Sequence, residues 1–437
     1  MKGNHWDKIC GFTAFGESYS PAVGVVIEDI QPGIEFPYQE IQEELNKRKP
    51  GRGEFISPRQ EPDELVVLSG VFEGKTTGMP ICMLVYNKDL RAEDYEVIKE
   101  VFRPGHADLT YFKKFKIYDY RGGGRASGRE TIARVAASVL VNKILEPIKI
   151  DLYPVSIGEI STEIIDLDFA KNNDLCWPCP HTYIKLLDYL KTIKHSGNSS
   201  GGIVEVIIRG APSGLGDPVF EKLDANLAKA ILSIGGVKGI EFGAGFALSR
   251  MKGSEANDPI LTLTDEDASD RSGGINGGIS SGKLITFRFV VKPTPSIALP
   301  QQTIDKKGTP RILRLKGRFD TCLIPRVISV ARAMIKLVLA DALSYQKLIE
   351  QKPVDLDTLR EAIDKVDEDI LISLCRRDKI IAQIAGFKKE KGIAVHQPER
   401  EQNLIKNLLQ KAELLNLEPR LIIEIWSKLI EHSRNKQ

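Results

Sequence analysis

Over the first three quarters of the chain, short apolar and β-branched runs alternate with glycine- and proline-rich punctuation. Leu65–Leu68, Ile203–Ile208 and Leu284–Val291 read as strands, the last two bounded by Gly, Lys or Pro. Helical spacing appears between them, in Arg129–Leu145, which follows a glycine and is rich in Ala and Val, and in Pro325–Ile349. Interleaved strands and helices predict a mixed α/β body. No fixed-period repeat or low-complexity segment breaks the pattern. Near Gln351-Lys352-Pro353 it changes. Proline disfavours helical geometry in the preceding residue, so a break is expected there. Beyond it glycine becomes rare, and Leu356, Leu359, Ile363, Val366, Ile370, Leu374, Ile381 and Ile384 recur at helical spacing. This predicts a long helix to about Lys391, a second after Pro398 and a third from about Pro419 to the end. Three such helices cannot close a good core alone, so this part is expected to dimerise. Two domains follow, 1–350 and 351–437.

A length of 437 residues agrees with more than one core. The 42% hydrophobic and 27% charged composition is that of a soluble globular protein. A net charge of +2 gives no general argument for nucleic acid or membrane, and no apolar run approaches the ~20 residues of a membrane span. The start, MKGNHWDKICGF, lacks the apolar centre of a signal peptide, and the six scattered cysteines point to reduced thiols in a cytoplasm. Cys176 and Cys179 form a C-W-P-C run with His181 just beyond. A redox dithiol wants this spacing at a helix N-terminus, and a zinc site needs a fourth ligand. The polar segment before it favours two thiols in a surface connection, and no metal site is expected.

The chemistry sits in glycine–arginine clusters. Asp119–Glu130 reads D-Y-R-G-G-G-R-A-S-G-R-E, with Arg121, Arg125 and Arg129 around three consecutive glycines. Glycine lets backbone N–H groups approach an anion closely, and arginine adds planar, permanently charged forks. The helical stretch that follows also favours an anion at its N-terminus. Gly273–Gly282 (G-G-I-N-G-G-I-S-S-G) is a second cluster and Lys292–Ser296 (K-P-T-P-S) a third. Arg48 in R-K-P-G, and Arg103 and His106 in F-R-P-G-H-A-D, add further cationic positions. Any one cluster alone reads equally as a tight turn. Together they call for a ligand with more than one phosphate or carboxylate.

These motifs, with F-G-E-S (15–18), S-G-V-F-E-G-K-T-T-G (69–78), V-K-G-I-E-F-G (237–243) and G-R-F-D (317–320), resemble chorismate synthase over roughly residues 1–345. The resemblance implies a β-α-β sandwich body and a 1,4-anti elimination of phosphate and a ring proton from 5-enolpyruvylshikimate 3-phosphate, giving chorismate. It also implies reduced FMN as cofactor, with NADPH as a source of flavin reduction. Carried over by motif, FMN would contact Arg125, Ala126, Ser127, Gly235, Gly236, Gly277, Lys292, Pro293, Thr294, Pro295, Ser296 and Arg318. Arg48 would bind substrate or NADPH, and Arg129 and Arg134 would bind substrate. His106 would serve the leaving phosphate, Ser127 would assist at the flavin, and Asp320 would accept the proton relayed through the flavin. The chain departs from the family pattern at Tyr19, where the family has a histidine that protonates flavin, at Phe319, again a histidine in the family, and at Glu54, an arginine. Tyr19 is a candidate proton donor, though its reference pKa near ~10 matches the task less well than histidine's ~6.5.

In the C-terminal helices Arg377 and Lys388 are close to three whole turns apart and share a face, ~16 Å apart along the axis. Two long cationic side chains reaching inward suit a small dicarboxylate. Residues 354–437 resemble the all-helical chorismate mutase family, beginning L-R-E-A-I-D-K-V-D. Arg360, Arg377, Lys388, Arg400, Glu401, Ser433 and Gln437 fall on its functional positions, and Gln397 replaces an aspartate. The resemblance implies a three-helix domain that rearranges chorismate to prephenate without a cofactor. Lys388 and Gln437 would serve the ether oxygen, and Arg377, with Arg360 from a partner chain, would hold carboxylates. The expectation is thus a bifunctional, cytoplasmic homo-oligomer, a tetramer containing mutase dimers. The alternatives are an active mutase on an impaired synthase-like scaffold, and a regulatory assembly that senses shikimate-pathway metabolites.

Overall fold

Five antiparallel strands near the N-terminus, β1 (His5–Trp6), β2 (Phe12–Gly16), β3 (Ala22–Ile27), β4 (Val66–Ser69) and β5 (Ile81–Tyr86), form a sheet in the order β1-β2-β3-β5-β4. A second antiparallel sheet contains β6 (Lys149–Ile157), β7 (Ile160–Ser161), β8 (Gly202–Arg209), β9 (Val237–Phe242) and β10 (Ile285–Val291), in the order β9-β10-β8-β6-β7. The computed structural model describes residues 3–6, 11–51, 53–260, 271–349, 356–414 and 417–436. The chain divides into two compact units, Met1–Glu350 and Gln351–Gln437.

Among the described residues of the first unit, six helices have eight or more residues. They are α1 (Tyr38–Arg48), α2 (Asp108–Phe115), α3 (Thr131–Val139), α4 (Pro180–His195), α5 (Leu223–Leu232) and α6 (Ile324–Ile349). α3 packs on β2, β3 and β5, while α6 packs on β6 and β8, and also on α1, α3 and α5. Strand alternation sets the inner faces. Val204, Val206 and Ile208 of β8 and Phe287, Phe289 and Val291 of β10 are buried, with more accessible residues between them. α6 is buried on nearly every side from Ile324 to Ala340, as a central helix should be. The result is the mixed α/β body expected from the sequence.

Two expectations are corrected. The stretch Arg129–Leu145 is not one helix: α3 ends at Val139 and the chain continues as a 3-10 turn, Asn142–Leu145. The β-branched Val139 and Val141 are stiff at χ1 and prolong a helix poorly. Nor is the C-W-P-C run a surface connection. Cys179 is fully buried and forms the N-cap of α4, and Cys176 is half-buried. Burial alone would raise the Cys179 thiol, but hydrogen bonds from the Thr182 hydroxyl and from the backbone of Glu163, Ile164 and Thr182 bring it down to about 7.

The second unit consists of α7 (Leu356–Lys391), α8 (Pro398–Leu414) and α9 (Pro419–Asn435). α9 starts on a proline, which suits a first helical position. α8 and α9 pack together. The periodic residues Leu359, Ile363, Val366 and Ile370 of α7 remain exposed within one copy of the chain. Among the described residues no helix is long and apolar enough to cross a membrane.

Candidate active site

The glycine-rich cluster folds as a 3-10 segment, Arg121–Ala126, with Gly122, Gly123 and Gly124 at φ 59°, 86° and 53°. All three lie in the left-handed region that favours glycine. Space matters as much as torsion: a Cβ on Gly123 would come within 3.0 Å of the His106 ring. The backbone therefore reaches the imidazole only because no side chain intervenes. Ser127 then accepts the Arg129 N–H at 3.3 Å and leads the chain toward α3.

Around this segment opens a cavity of about 740 Å³. It brings together His106, Arg125, Ala126, Ser127, Arg129 and Arg134 with Gly235, Gly236, the Lys292–Ser296 run, Arg318, Asp320 and Arg48. Gly277 lies outside the cavity wall, in the turn between the short strands Ile275–Asn276 and Ile279–Ser280. Phe319 is on the wall, whereas Glu54 faces Lys194 at 3.6 Å. Tyr19 lines a smaller adjoining cavity with Arg59, Arg103 and Arg318. Its ring has the Arg59 and Arg121 guanidinium carbons 5.9 and 5.7 Å from its centroid, and its hydroxyl donates to the Arg91 carbonyl at 2.9 Å. Arg52, the arginine two positions before Glu54, lies outside the described residues.

His106 is held by its own loop. Its Nδ1 is 2.7 Å from Asp108 Oδ1, which assigns that proton to Nδ1 and turns Nε2 toward Gly123. Arg103 grips the same carboxylate through Nε and Nη2, each at 2.8 Å. Burial, assisted by Arg103 and Lys292, holds the imidazole below its ordinary pKa despite the pull of Asp108. Lys292 is itself lowered by burial and by Lys238. The cavity wall thus carries more positive charge than it neutralises.

Beneath the wall lies a buried ion cluster. Arg48, at the end of α1, and Arg129, ahead of α3, both bind the fully buried Asp63. Burial brings Arg48 down to about 10, with Asp63 opposing and Arg326 and Arg129 adding to the fall. Its Nη1 also donates to the Gly128 carbonyl at 3.0 Å. Arg48 Nε, Arg129 Nη2, Thr294 Oγ1 and Arg326 Nε are buried without a hydrogen-bond partner among the described residues, and all four residues line the cavity. Buried polar atoms are seldom left unpaired, so a ligand rich in anionic oxygen fits this wall.

Several site residues had escaped sequence reasoning: Arg326, Asp108, Asp63, Ser57 and Arg59. Arg326 did carry a signal. It is the single charge in the run Thr321–Ala331, and an arginine within so apolar a helix start needs an anion. Asp63 carried none, because its partners, at the end of α1 and ahead of α3, belong to separate segments of the chain.

In the second unit Arg377 donates to Ser433 Oγ at 2.6 Å and to the Leu429 carbonyl at 3.2 Å, joining α7 to α9. Lys388 donates to the Val395 carbonyl at 2.9 Å. Glu401 is bound by two donors of Arg434, which lower its pKa most, with His396 and Lys388 adding to the effect. Arg400 is exposed. Arg360 lies ~25 Å from Arg377 along the α7 axis, too far to share a site with it in one chain. Gln437 lies outside the described residues.

The family profile for chorismate synthase matches residues 10–344, and that for chorismate mutase type II matches residues 359–437. The chorismate synthase of Syntrophus aciditrophicus (strain SB) is 46% identical over 354 residues, 80% of this chain and 99% of that protein. The chorismate synthase of Methanosarcina mazei (strain Go1) is 45% identical over 350 residues, 78% of this chain and 96% of that protein. A crystal structure of chorismate synthase superposes with a TM-score of 0.60 at 27% identity, over 82% of this chain and 98% of the other. The chain belongs to the chorismate synthase family and, with a type II chorismate mutase domain after the synthase body, is a bifunctional enzyme of the shikimate pathway.

Proposed function

We propose that the cationic cavity binds reduced FMN beside 5-enolpyruvylshikimate 3-phosphate, and that the helical unit rearranges the resulting chorismate. The observation that carries the first half is the set of buried polar atoms without a hydrogen-bond partner among the described residues, around one cavity large enough for two ligands. Arg125, the Gly235–Gly236 turn, Lys292–Ser296 and Arg318 are suited to the flavin and its phosphate. When bound, reduced flavin supplies electron density to the reacting ring. NADPH is the proposed source of its electrons, with Arg48 a candidate contact.

His106 and Lys292 face the leaving phosphate in this reading. An arriving dianion raises the imidazole pKa, and the proton gained at Nε2 is available to the departing oxygen. Asp320 is the final acceptor for the proton lost from the ring. Its Oδ1 accepts the Ser57 N–H at 2.9 Å and its Oδ2 the Arg326 Nη1 at 2.9 Å, so the carboxylate has a fixed orientation. Tyr19 is less suited to proton donation, because its hydroxyl meets the Arg91 backbone. Its ring instead steadies two arginines.

In the helical unit Arg377 and Lys388 hold the substrate's carboxylate and ether oxygen, and Ser433 and Glu401 orient it. Gln437, and Arg360 from a second copy, complete the site. The exposed stripe on α7 supports a dimer, and synthase bodies assembling with it give the proposed homotetramer. The described cysteines are all free thiols, which suits a reducing cytoplasm. The test is anaerobic incubation with the enolpyruvyl substrate and chemically reduced FMN. Phosphate release followed by prephenate is expected. FMN and substrate binding without phosphate release would overturn the synthase half, and no prephenate from added chorismate would overturn the mutase half.

A further inference from the structure

Asp320 sits just before α6, and Arg326 lies in the first turn of that helix. Their side chains are 12% and 13% exposed and meet at 2.9 Å through Oδ2 and Nη1. This pair uses one of the guanidinium's five N–H donors. Nε is buried and unpaired among the described residues, and Nη2 lies where a Cβ on Gly128 would come within 3.4 Å. Both residues line the main cavity, as does Gly128, whose carbonyl is bound by Arg48. A buried arginine with an open donor edge beside a ligand cavity is costly unless something anionic meets that edge. The opposite carboxylate oxygen is pinned by the Ser57 N–H, so Asp320 turns only as far as Arg326 permits.

We propose that Arg326 is a positioning residue for the synthase reaction: it bridges Asp320 to an anionic oxygen of the bound substrate and thereby fixes the orientation in which the carboxylate receives the proton. This rests on the reading of Asp320 as proton acceptor. Overall the ring C–H bond breaks, its electron pair enters the new double bond, phosphate leaves with the C–O pair, and the proton ends on Asp320. Arginine stays charged at working pH and donates no proton here, so its contribution is geometry.

The test measures phosphate release by the full-length protein with reduced FMN, for Arg326→Met, Arg326→Lys, Asp320→Asn and the double variant Asp320→Asn/Arg326→Met. FMN affinity, read by flavin fluorescence, reports the integrity of the body in each variant. Misaiming a reacting group by an ångström costs about 100-fold. Arg326→Met should therefore lower kcat by about 100-fold and raise the substrate KM with FMN affinity unchanged, while Arg326→Lys should restore KM more than kcat. Since Arg326 acts through Asp320, removing it in the Asp320→Asn background should lower kcat no further. Additive losses in the double variant, or an unchanged kcat in Arg326→Met, would overturn the positioning role while Asp320 kept its own. A loss of FMN binding in both Arg326 variants would also overturn it, by making Arg326 a structural residue. An Asp320→Asn protein with full kcat would instead sink the proton-acceptor reading itself.

Discussion

His106 shows how one side chain is tuned by its surroundings. Buried beside Arg103 and Lys292, it is held below its ordinary pKa, so it is neutral in the free enzyme near pH 7. A phosphate placed among these groups reverses the balance. Substrate binding near pH 7 should therefore take up close to one proton, measurable by calorimetry in buffers of different ionisation heat, and His106→Asn should abolish the uptake. Tyr19 divides into ring and hydroxyl. Tyr19→Phe keeps the face against Arg59 and Arg121 and should retain most of the synthase rate. Tyr19→Ala loses two cation–π contacts of about 0.5–2 kcal/mol each and should raise the substrate KM by roughly 5-fold or more. A Phe variant as damaged as the Ala variant would return the hydroxyl to the chemistry. In the helical unit, Arg377→Ala removes a carboxylate partner worth about 2–5 kcal/mol. The mutase rate should fall by on the order of 30-fold to several thousand-fold in a chorismate-consumption assay.

At the scale of elements, Asp63 is the rivet between the end of α1 and the approach to α3. It is fully buried and shared by Arg48 and Arg129. Burial would raise its carboxyl pKa, but the two arginines more than offset this and leave it lowered. A carboxylate depressed on folding adds stability above its unfolded value, and that stability fades as the pH falls toward the folded one. Asp63→Ala leaves buried Arg48 without a carboxylate partner and Arg129 with only Glu61 at 3.9 Å, and should cost about 3–5 kcal/mol. Its thermal unfolding should also lose part of the wild-type dependence on acid pH, whereas a Tm unchanged at neutral pH would remove the cluster from the account of stability.

For the molecule as a whole, two units on one chain imply two separable chemistries. The segment from about Pro353 onward should be a dimer by itself and should retain mutase activity. The apolar stripe of α7, exposed in one copy, gives the reason. Val366→Asp on that stripe should dissociate the isolated segment in sedimentation and abolish the mutase rate, because in the proposed site Arg360 comes from the second copy. A monomeric segment with full activity would contradict this arrangement.

The sequence alone was enough for the division near residue 351, the three C-terminal helices, the strands β8 and β10 and the clustering of glycine with arginine. These follow from periodicity and from residue types whose chemistry is local: a glycine run with positive φ, a heptad-like stripe, a proline at a helix start. Motif resemblance also named His106, Asp320 and the Lys292–Ser296 run, which the fold brings to one cavity. Only the tertiary structure decided which charges meet. Arg326 with Asp320, Arg48 and Arg129 with Asp63, Tyr19 beneath two arginines and Cys179 in a buried cap are relations between distant segments or depend on burial. A residue's type fixes what it can donate or accept. Its neighbours and its access to water, which the packed sheets and helices alone determine, decide what it does.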